Sequence, residues 1–482
     1  MINYRIIARV FSILLIFEGF MMLFAALISV IYQENTSRYF FYSALLTTLT
    51  GILTFTPLKD EDKAYGSREG HIIVAGIWVI FALFGTLPYL FSGTIHGFTN
   101  AFFESMSGFT TTGATIVTDI DTLPKGILFW RSLTQWIGGM GVIFLSLYIL
   151  PVFRDLNIQL STTEFAGQAS DKIHPKVVET VKRLVALYII LTLGEIVLLN
   201  LAGMSFFDSV CQSFSTLSTG GFSTHNNSLA VYSSPYIKII LTIFMFLAGT
   251  NMTIVYFGAK RNFGRVSGSS EFLYYMGICV FFSLLVSGIL FYKEIFNSAD
   301  SLINGTFQVI SIISSTGFYT SNYGQWGNFA VLIILVLMLT GGTTGSASGG
   351  IKITRLMLMA RNNRMELRRL IHPNAYIPVR VNNKIVPHNL VYNTLVFVAL
   401  YFLIICASSL IISFMGFDLI TSFSTSASML GNIGPSIGAF GPFSTYAAMP
   451  GAGKLFLSAL MLLGRLELMT VLILFARSFY RK

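Results

Sequence analysis

The feature that most constrains this chain is a series of ten apolar stretches, at residues 10–32, 40–57, 71–91, 127–152, 184–201, 237–257, 272–291, 328–339, 390–415 and 455–476. A bilayer core takes about 20 apolar residues as a helix, and all but the eighth are near or above that length. The first is too long for a signal-peptide core and lacks a small-x-small cleavage site, so it reads as a span. Composition agrees: 54% of the 482 residues are hydrophobic, 11% are charged, and the mean hydropathy is +0.71. Soluble domains carry about a quarter charged residues, so this chain lacks the polar surface to enclose a water-soluble fold. The expectation is an all-α polytopic membrane protein.

The net charge of +10 follows the same plan. With the N-terminus inside, the inner segments 1–9, 58–70, 153–183, 258–271, 352–389 and the tail hold 24 of the 31 Lys and Arg residues, while the outer segments hold three, Arg38, Lys125 and Lys293. That asymmetry is the positive-inside pattern, which needs no nucleic-acid partner and predicts both termini in the cytoplasm. Eight acids fall outside: Glu34, Glu104, Asp119, Asp121, Asp208, Glu294, Asp300 and Asp418. They would attract cations, although soluble loops also need some charge.

Four outer segments are too long for turns, and they align on a glycine. They read Phe103-Glu-Ser-Met-Ser-Gly-Phe-Thr-Thr-Thr-Gly113, Val210-Cys-Gln-Ser-Phe-Ser-Thr-Leu-Ser-Thr-Gly220, Phe307-Gln-Val-Ile-Ser-Ile-Ile-Ser-Ser-Thr-Gly317 and Ser424-Thr-Ser-Ala-Ser-Met-Leu-Gly-Asn-Ile-Gly434. Each lies between two spans and leaves room for a half-helix of about 10 residues. The expected architecture is therefore four span–re-entrant pore helix–span repeats around a pseudo-fourfold axis, plus an N-terminal two-helix hairpin. Its units would be the hairpin and cytosolic loop at 1–70 and repeats at 71–175, 176–265, 266–375 and 376–482. Irregular backbone at membrane depth survives where it is buried or lines a cavity. Carbonyl oxygens of Thr111, Thr112 and Gly113, of Ser218, Thr219 and Gly220, of Ser315, Thr316 and Gly317, and of Asn432, Ile433 and Gly434 could replace the hydration shell of a monovalent cation. The fourth loop departs most from the others.

The second span of repeat three breaks off into Thr340-Gly-Gly-Thr-Thr-Gly-Ser-Ala-Ser-Gly-Gly350, with five glycines in eleven residues. Each glycine costs a helix about 1 kcal/mol relative to alanine, so a straight helix fails here. Gly341, Gly342, Thr343, Thr344, Gly345, Ser346, Gly349 and Gly350 are candidate residues of a flexible gate beneath the filter; a close-packing glycine seam is the rival reading. A phosphate-binding loop is disfavoured, because Ile351 separates Gly350 from Lys352. Arg465, expected deep in the last span, should bond this loop's carbonyls or hydroxyls, since a buried arginine needs partners. Glu18 and Glu195 read as proton or ion sites or as satisfied packing carboxyls.

An enzyme would need a cluster that is missing here. The six histidines fall at span ends or in loops with no HExxH, and Cys211, Cys279 and Cys406 form no CxxC. Metal, redox and nucleophilic chemistry have no support in the sequence.

Three motifs carry a family resemblance: Gly108-Phe-Thr-Thr-Thr-Gly-Ala-Thr followed by Gln135-Trp-Ile-Gly-Gly-Met-Gly141, then Thr216-Leu-Ser-Thr-Gly-Gly-Phe222, then Ser314-Ser-Thr-Gly-Phe318. Together they resemble the Trk/Ktr/HKT superfamily of cation transporters, most closely its bacterial TrkH potassium-uptake subunits, over essentially the whole chain. The resemblance implies potassium uptake across the bacterial inner membrane by a homodimer with one pore per protomer. It implies a TrkA-type cytosolic nucleotide-binding (NAD/ATP) regulator, K⁺ as the transported ion and no bound cofactor. Glycine at position 113, where a serine would suggest sodium, implies selectivity for potassium. Whether permeation is passive or coupled to Na⁺ or H⁺ stays open.

Overall fold

The computed structural model describes residues 2–56, 67–154, 177–375, 377–382, 384–466 and 468–480. Most of the expected inner segments 58–70 and 153–183, and Glu467 beside Arg465, therefore lie outside the described residues.

Helices form at all ten apolar stretches. An opening hairpin pairs α1 (Tyr4–Ile31) with α2 (Ser37–Phe55). Asn3 starts α1 by accepting the amides of Arg5 and Ile6, which would otherwise lack partners. Repeat one comprises α3 (Ser67–Gly85), α4 (Leu87–Ser92), the short α5 (Phe98–Phe109) and α6 (Lys125–Arg154). Repeat two comprises α7 (Val177–Leu201), the short α8 (Phe206–Leu217), α9 (Pro235–Ala248), α10 (Met252–Ala259) and α11 (Phe263–Ser267). Repeat three runs through α12 (Ser270–Tyr292), the short α13 (Ser298–Ile313), α14 (Asn328–Leu339) and α15 (Ile353–Ile371). A two-stranded hairpin, β1 (Arg380–Val381) and β2 (Lys384–Ile385), leads into repeat four. That repeat holds α16 (His388–Phe414), the short α17 (Leu419–Leu430), α18 (Gly451–Arg465), α19 (Leu468–Leu472) and α20 (Arg477–Tyr480).

Five of the described helices are long and apolar enough to cross a bilayer unaided, or seven if each bent pair counts as one span. The chain is a helical, multi-pass membrane protein. Two stretches expected to be continuous are not: α9 and α10 meet at 115°, and α18 and α19 at 116°. The first break has a local cause. Asn251 caps α10 by accepting the Thr253 amide, while the Gly249 carbonyl at the end of α9 accepts the Thr343 amide. A new helix begins because the polar groups at the break find partners outside the old one.

Burial is inverted relative to a soluble protein. The outer surface carries Leu201, Leu410, Phe414 and Leu419, each more than 70% exposed. The interior holds the Ser/Thr-rich short helices: Ser105, Ser107, Ser213, Ser215, Ser311, Ser424, Ser426 and Ser428 are fully buried. Apolar side chains face lipid, and polar ones turn toward the centre of the bundle. Short α8 and α17 are capped by Ser205 and Asp418, which accept the amides of Asp208 and Thr421.

Candidate ion pathway

The carboxyl ends of the four short helices lead into four loops with one shared backbone pattern. Each helix closes on a cap residue: Thr110, Ser218, Ser314 or Gly431. The next residue turns left-handed, with φ of 50° at Thr111, 55° at Thr219, 53° at Ser315 and 52° at Asn432. Two residues later comes a glycine at positive φ: Gly113 (79°), Gly221 (76°), Gly317 (80°) and Gly434 (98°). Such angles strain any side-chain-bearing residue, which explains glycine there.

This pattern corrects the register in repeat two. Ser218 is a helix cap, and Gly221 rather than Gly220 matches Gly113, Gly317 and Gly434. The equivalent stretch is Thr219, Gly220 and Gly221. The sequence offers two adjacent glycines, and only the end of α8 decides which one takes the left-handed turn. The fourth loop, aberrant in sequence, follows the same backbone path.

The loops abut one another in order. A methyl group built on Gly113 would collide with the Gly220 carbonyl, one on Gly221 with that of Thr316, one on Gly317 with that of Ile433, and one on Gly434 with that of Thr112. The four carbonyls occupy the same position in their loops, and the fourth loop returns to the first.

Side chains behind the loops hold them. Gln135 of α6 donates to the Gly220 carbonyl (2.7 Å) and accepts the Phe222 amide (3.1 Å). Arg131 and Glu104, 1% and 0% exposed, form an ion pair at 2.9 Å. Arg131 also donates to the Ser223 carbonyl, and Glu104 accepts the Ile116 amide, so one buried pair ties the loops of repeats one and two. The Tyr446 hydroxyl donates to the Gly434 carbonyl (2.9 Å). These supports were not singled out from sequence, because buried polar partners leave no periodic signal. Outside the glycines sits a small cavity of about 90 Å³, lined by Gly113, Gly221, Gly317, Tyr319 and His225 among others.

Residues 340–350 form no helix. The two arms run side by side, with the Gly341 amide donating to the Ile351 carbonyl (2.9 Å), and the tip meets the glycine-centred loops. Thr219 Oγ1 donates to the Ala347 carbonyl (3.0 Å), and the Gly349 amide donates to Ser315 Oγ (2.7 Å). The Arg465 guanidinium donates to Ala347 O and, at 3.4 Å, to Gly138 O. Arg465 ends α18 at the bend rather than sitting mid-helix. Lower down, Asn251 donates to the Thr344 carbonyl, so the tip and its flank contact residues of repeats two, three and four. Gly342, Thr343, Gly345, Ser346 and Gly350 complete the loop, with Gly345 and Gly350 at φ of 77° and 73°.

Glu18 and Glu195 are buried at 1% and 0% exposure, and neither carboxylate is hydrogen-bonded among the described residues. The nearby Thr216 gives its hydroxyl hydrogen to the Gln212 carbonyl, so toward Glu195 it can only accept. The reading of both as satisfied packing groups is not met.

The sequence matches the family model "TrkH: Cation transport protein" over residues 33–291 and 277–480. It is 34% identical over 491 aligned positions to the Trk system potassium uptake protein TrkH of Salmonella typhimurium and to that of Escherichia coli K12, covering all of each chain. It is 29% identical to TrkG of Escherichia coli K12, covering 99% of both. The crystal structure of the potassium transporter TrkH from Vibrio parahaemolyticus superposes with a TM-score of 0.89 at 32% identity, covering all of both chains. With the architecture, the loops and these matches in agreement, the chain belongs to the TrkH family of cation transport proteins.

Proposed function

We propose that this protein takes up potassium across the bacterial inner membrane through one pore per protomer, with the four glycine-centred loops as its selectivity filter. The observation that carries this reading is the closed sequence of contacts from Gly113 to Gly220, Gly221 to Thr316, Gly317 to Ile433 and Gly434 to Thr112. A common axis through that ring would bring bare carbonyl oxygens around a dehydrated cation, with the negative ends of four half-helices aimed at it. The relatives' names supply the ion, since they are called potassium uptake proteins. Residues 340–350 would gate the pore from below, with Arg465 holding the tip and opposing a cation while the loop is closed. A homodimer and a TrkA-type nucleotide-binding regulator on the cytosolic side complete the proposal.

The test is rubidium and sodium flux in proteoliposomes. Gly113→Ser and Gly221→Ser should lower the Rb⁺/Na⁺ selectivity about tenfold or more, the scale of one lost binding interaction of about 1.4 kcal/mol. Ser218→Ala, at the helix cap, should leave it close to the parent. Wild-type selectivity in both glycine variants would overturn the filter. The buried, unbonded carboxylates of Glu18 and Glu195 favour a second reading, proton-coupled symport. A reversal potential set by the potassium gradient alone, unmoved by a pH gradient, eliminates it.

A further inference from the structure

Glu271 opens α12 and is 7% exposed, at the end of the helix that leads toward the cytosolic segment 258–271. Its Oε1 accepts two hydrogen bonds at 2.5 Å. One comes from the Thr344 amide, in the first arm of the 340–350 loop. The other comes from the Thr354 hydroxyl, in the first turn of α15, after the loop has returned. The two threonine hydroxyls also bond to each other at 2.5 Å. A single carboxylate oxygen thus joins both ends of the loop to a helix that is not part of it. Across the loop, Asn251 takes the Thr344 carbonyl. Thr344 is therefore held through both of its backbone polar groups, its amide by Glu271 and its carbonyl by Asn251.

The opposite end of α15 is basic, as the positive-inside pattern expects of a cytosolic segment. It carries Arg361, Arg364, Arg368 and Arg369, and its last turn exposes Leu370 and Ile371 at 79% and 72%. A helix is stiff along its axis, so a shift at that end moves Thr354 at the other. Thr354 cannot leave without breaking its bond to Glu271, and the same oxygen holds Thr344.

We infer that Glu271 is a positioning residue for the gate: it latches the 340–350 loop closed by clamping Thr344 to Thr354, and displacement of α15 releases it. This rests on the gate reading above. Two hydrogen bonds converge on one buried carboxyl oxygen, so losing them should shift the closed–open balance substantially. Glu271 makes no contact with the filter loops in the bonds described above, so the latch should act on gating and leave selectivity alone.

The experiment uses the full chain in proteoliposomes without a regulator, and reads basal Rb⁺ flux and the Rb⁺/Na⁺ ratio together. Deleting residues 342–350 comes first as the control for the gate. With that control raising basal flux, Glu271→Ala and Thr354→Val should each raise it about tenfold, the double variant should add little to Glu271→Ala, and the Rb⁺/Na⁺ ratio should stay at the parent value. Glu271→Gln keeps an acceptor oxygen and should fall between parent and alanine. If the deletion raises flux but Glu271→Ala and Thr354→Val do not, the latch is wrong and the gate stands. If the deletion leaves flux unchanged, the gate itself is wrong. A change in the Rb⁺/Na⁺ ratio in Glu271→Ala would mark a distorted filter and overturn the latch. Should Glu271→Ala fail to fold, Thr354→Val, which removes one hydroxyl at constant volume, carries the same test.

Discussion

The Glu104–Arg131 pair shows how one buried contact can serve two loops. Glu104 comes from the short helix of repeat one and Arg131 from the span that follows it; the arginine also stacks on Phe222, 4.2 Å from the ring centroid. Both charges are out of water, so each depends on the other to offset its desolvation. Arg131→Met would leave Glu104 charged, buried and short of a partner, at a cost of about 3–5 kcal/mol. The expected outcome is a loss of folded yield and a lower midpoint in a thermal assay. Glu104→Gln combined with Arg131→Met should recover part of the loss, because no uncompensated charge remains. Equal destabilisation in the single and double variants would mean the pair matters only for its packing.

At the scale of the element, the loops that follow α5 and α8 are joined by ionic contacts. His225 Nδ1 lies 2.8 Å from Asp121 and its Nε2 lies 3.8 Å from Asp208, while Asn226 donates to Asp119 and accepts the Ile120 amide. The neighbouring Asp208 carboxylate, and after it Asp121, raise the His225 pKa above its ordinary value of 6.5, against the opposing effect of partial burial. A raised pKa means the protonated form is favoured by folding, so the contribution is complete below pH 6.5 and fades as pH rises through the raised value. Amide exchange at residues 119–122 and 225–227 should therefore quicken as external pH passes through that window. In His225→Gln the exchange rates of these loops should no longer follow such a profile. Persistence of the profile in the variant would assign the titration to another group.

The same scale explains what the register of the second glycine loop required. Gly220 and Gly221 are adjacent and chemically identical, so an alignment on Thr-Gly selects the first. The end of α8 fixes where the left-handed residue falls, and that depends on how far the helix propagates before Ser218 caps it. Likewise the run of glycines at 340–350 reads as broken helix, but nothing local says that its tip meets Thr219, Ser315 and Arg465. Those partners are 34 to 128 residues away in the chain.

For the whole molecule, the distribution of basic residues sets an orientation that can be checked directly. After replacement of the exposed native cysteine by Cys406→Ser, Asn297→Cys should react with a membrane-impermeant maleimide in intact cells, and Arg368→Cys only after permeabilisation. The buried thiols of Cys211 and Cys279 should stay silent. Labelling of Arg368→Cys in intact cells would invert the topology. The apolar helical stretches were legible because hydrophobic length is a local property of about 20 residues. Their continuity was not: stretches 237–257 and 455–476 are predominantly apolar, yet each bends by more than 110° where Asn251 or Arg465 turns toward the 340–350 loop.

By itself the sequence determined the membrane class, the ten helical stretches, the four glycine-bearing loops and the break after Leu339. All of these follow from hydropathy and backbone propensity within a few turns of chain. Only the tertiary structure decided which glycine turns in repeat two, which spans are broken, and that Glu104, Arg131, Gln135 and Glu271 support the loops. The reason is physical: a buried polar group is stable only beside its partner, and that partner is chosen by how the helices pack rather than by its neighbours in sequence.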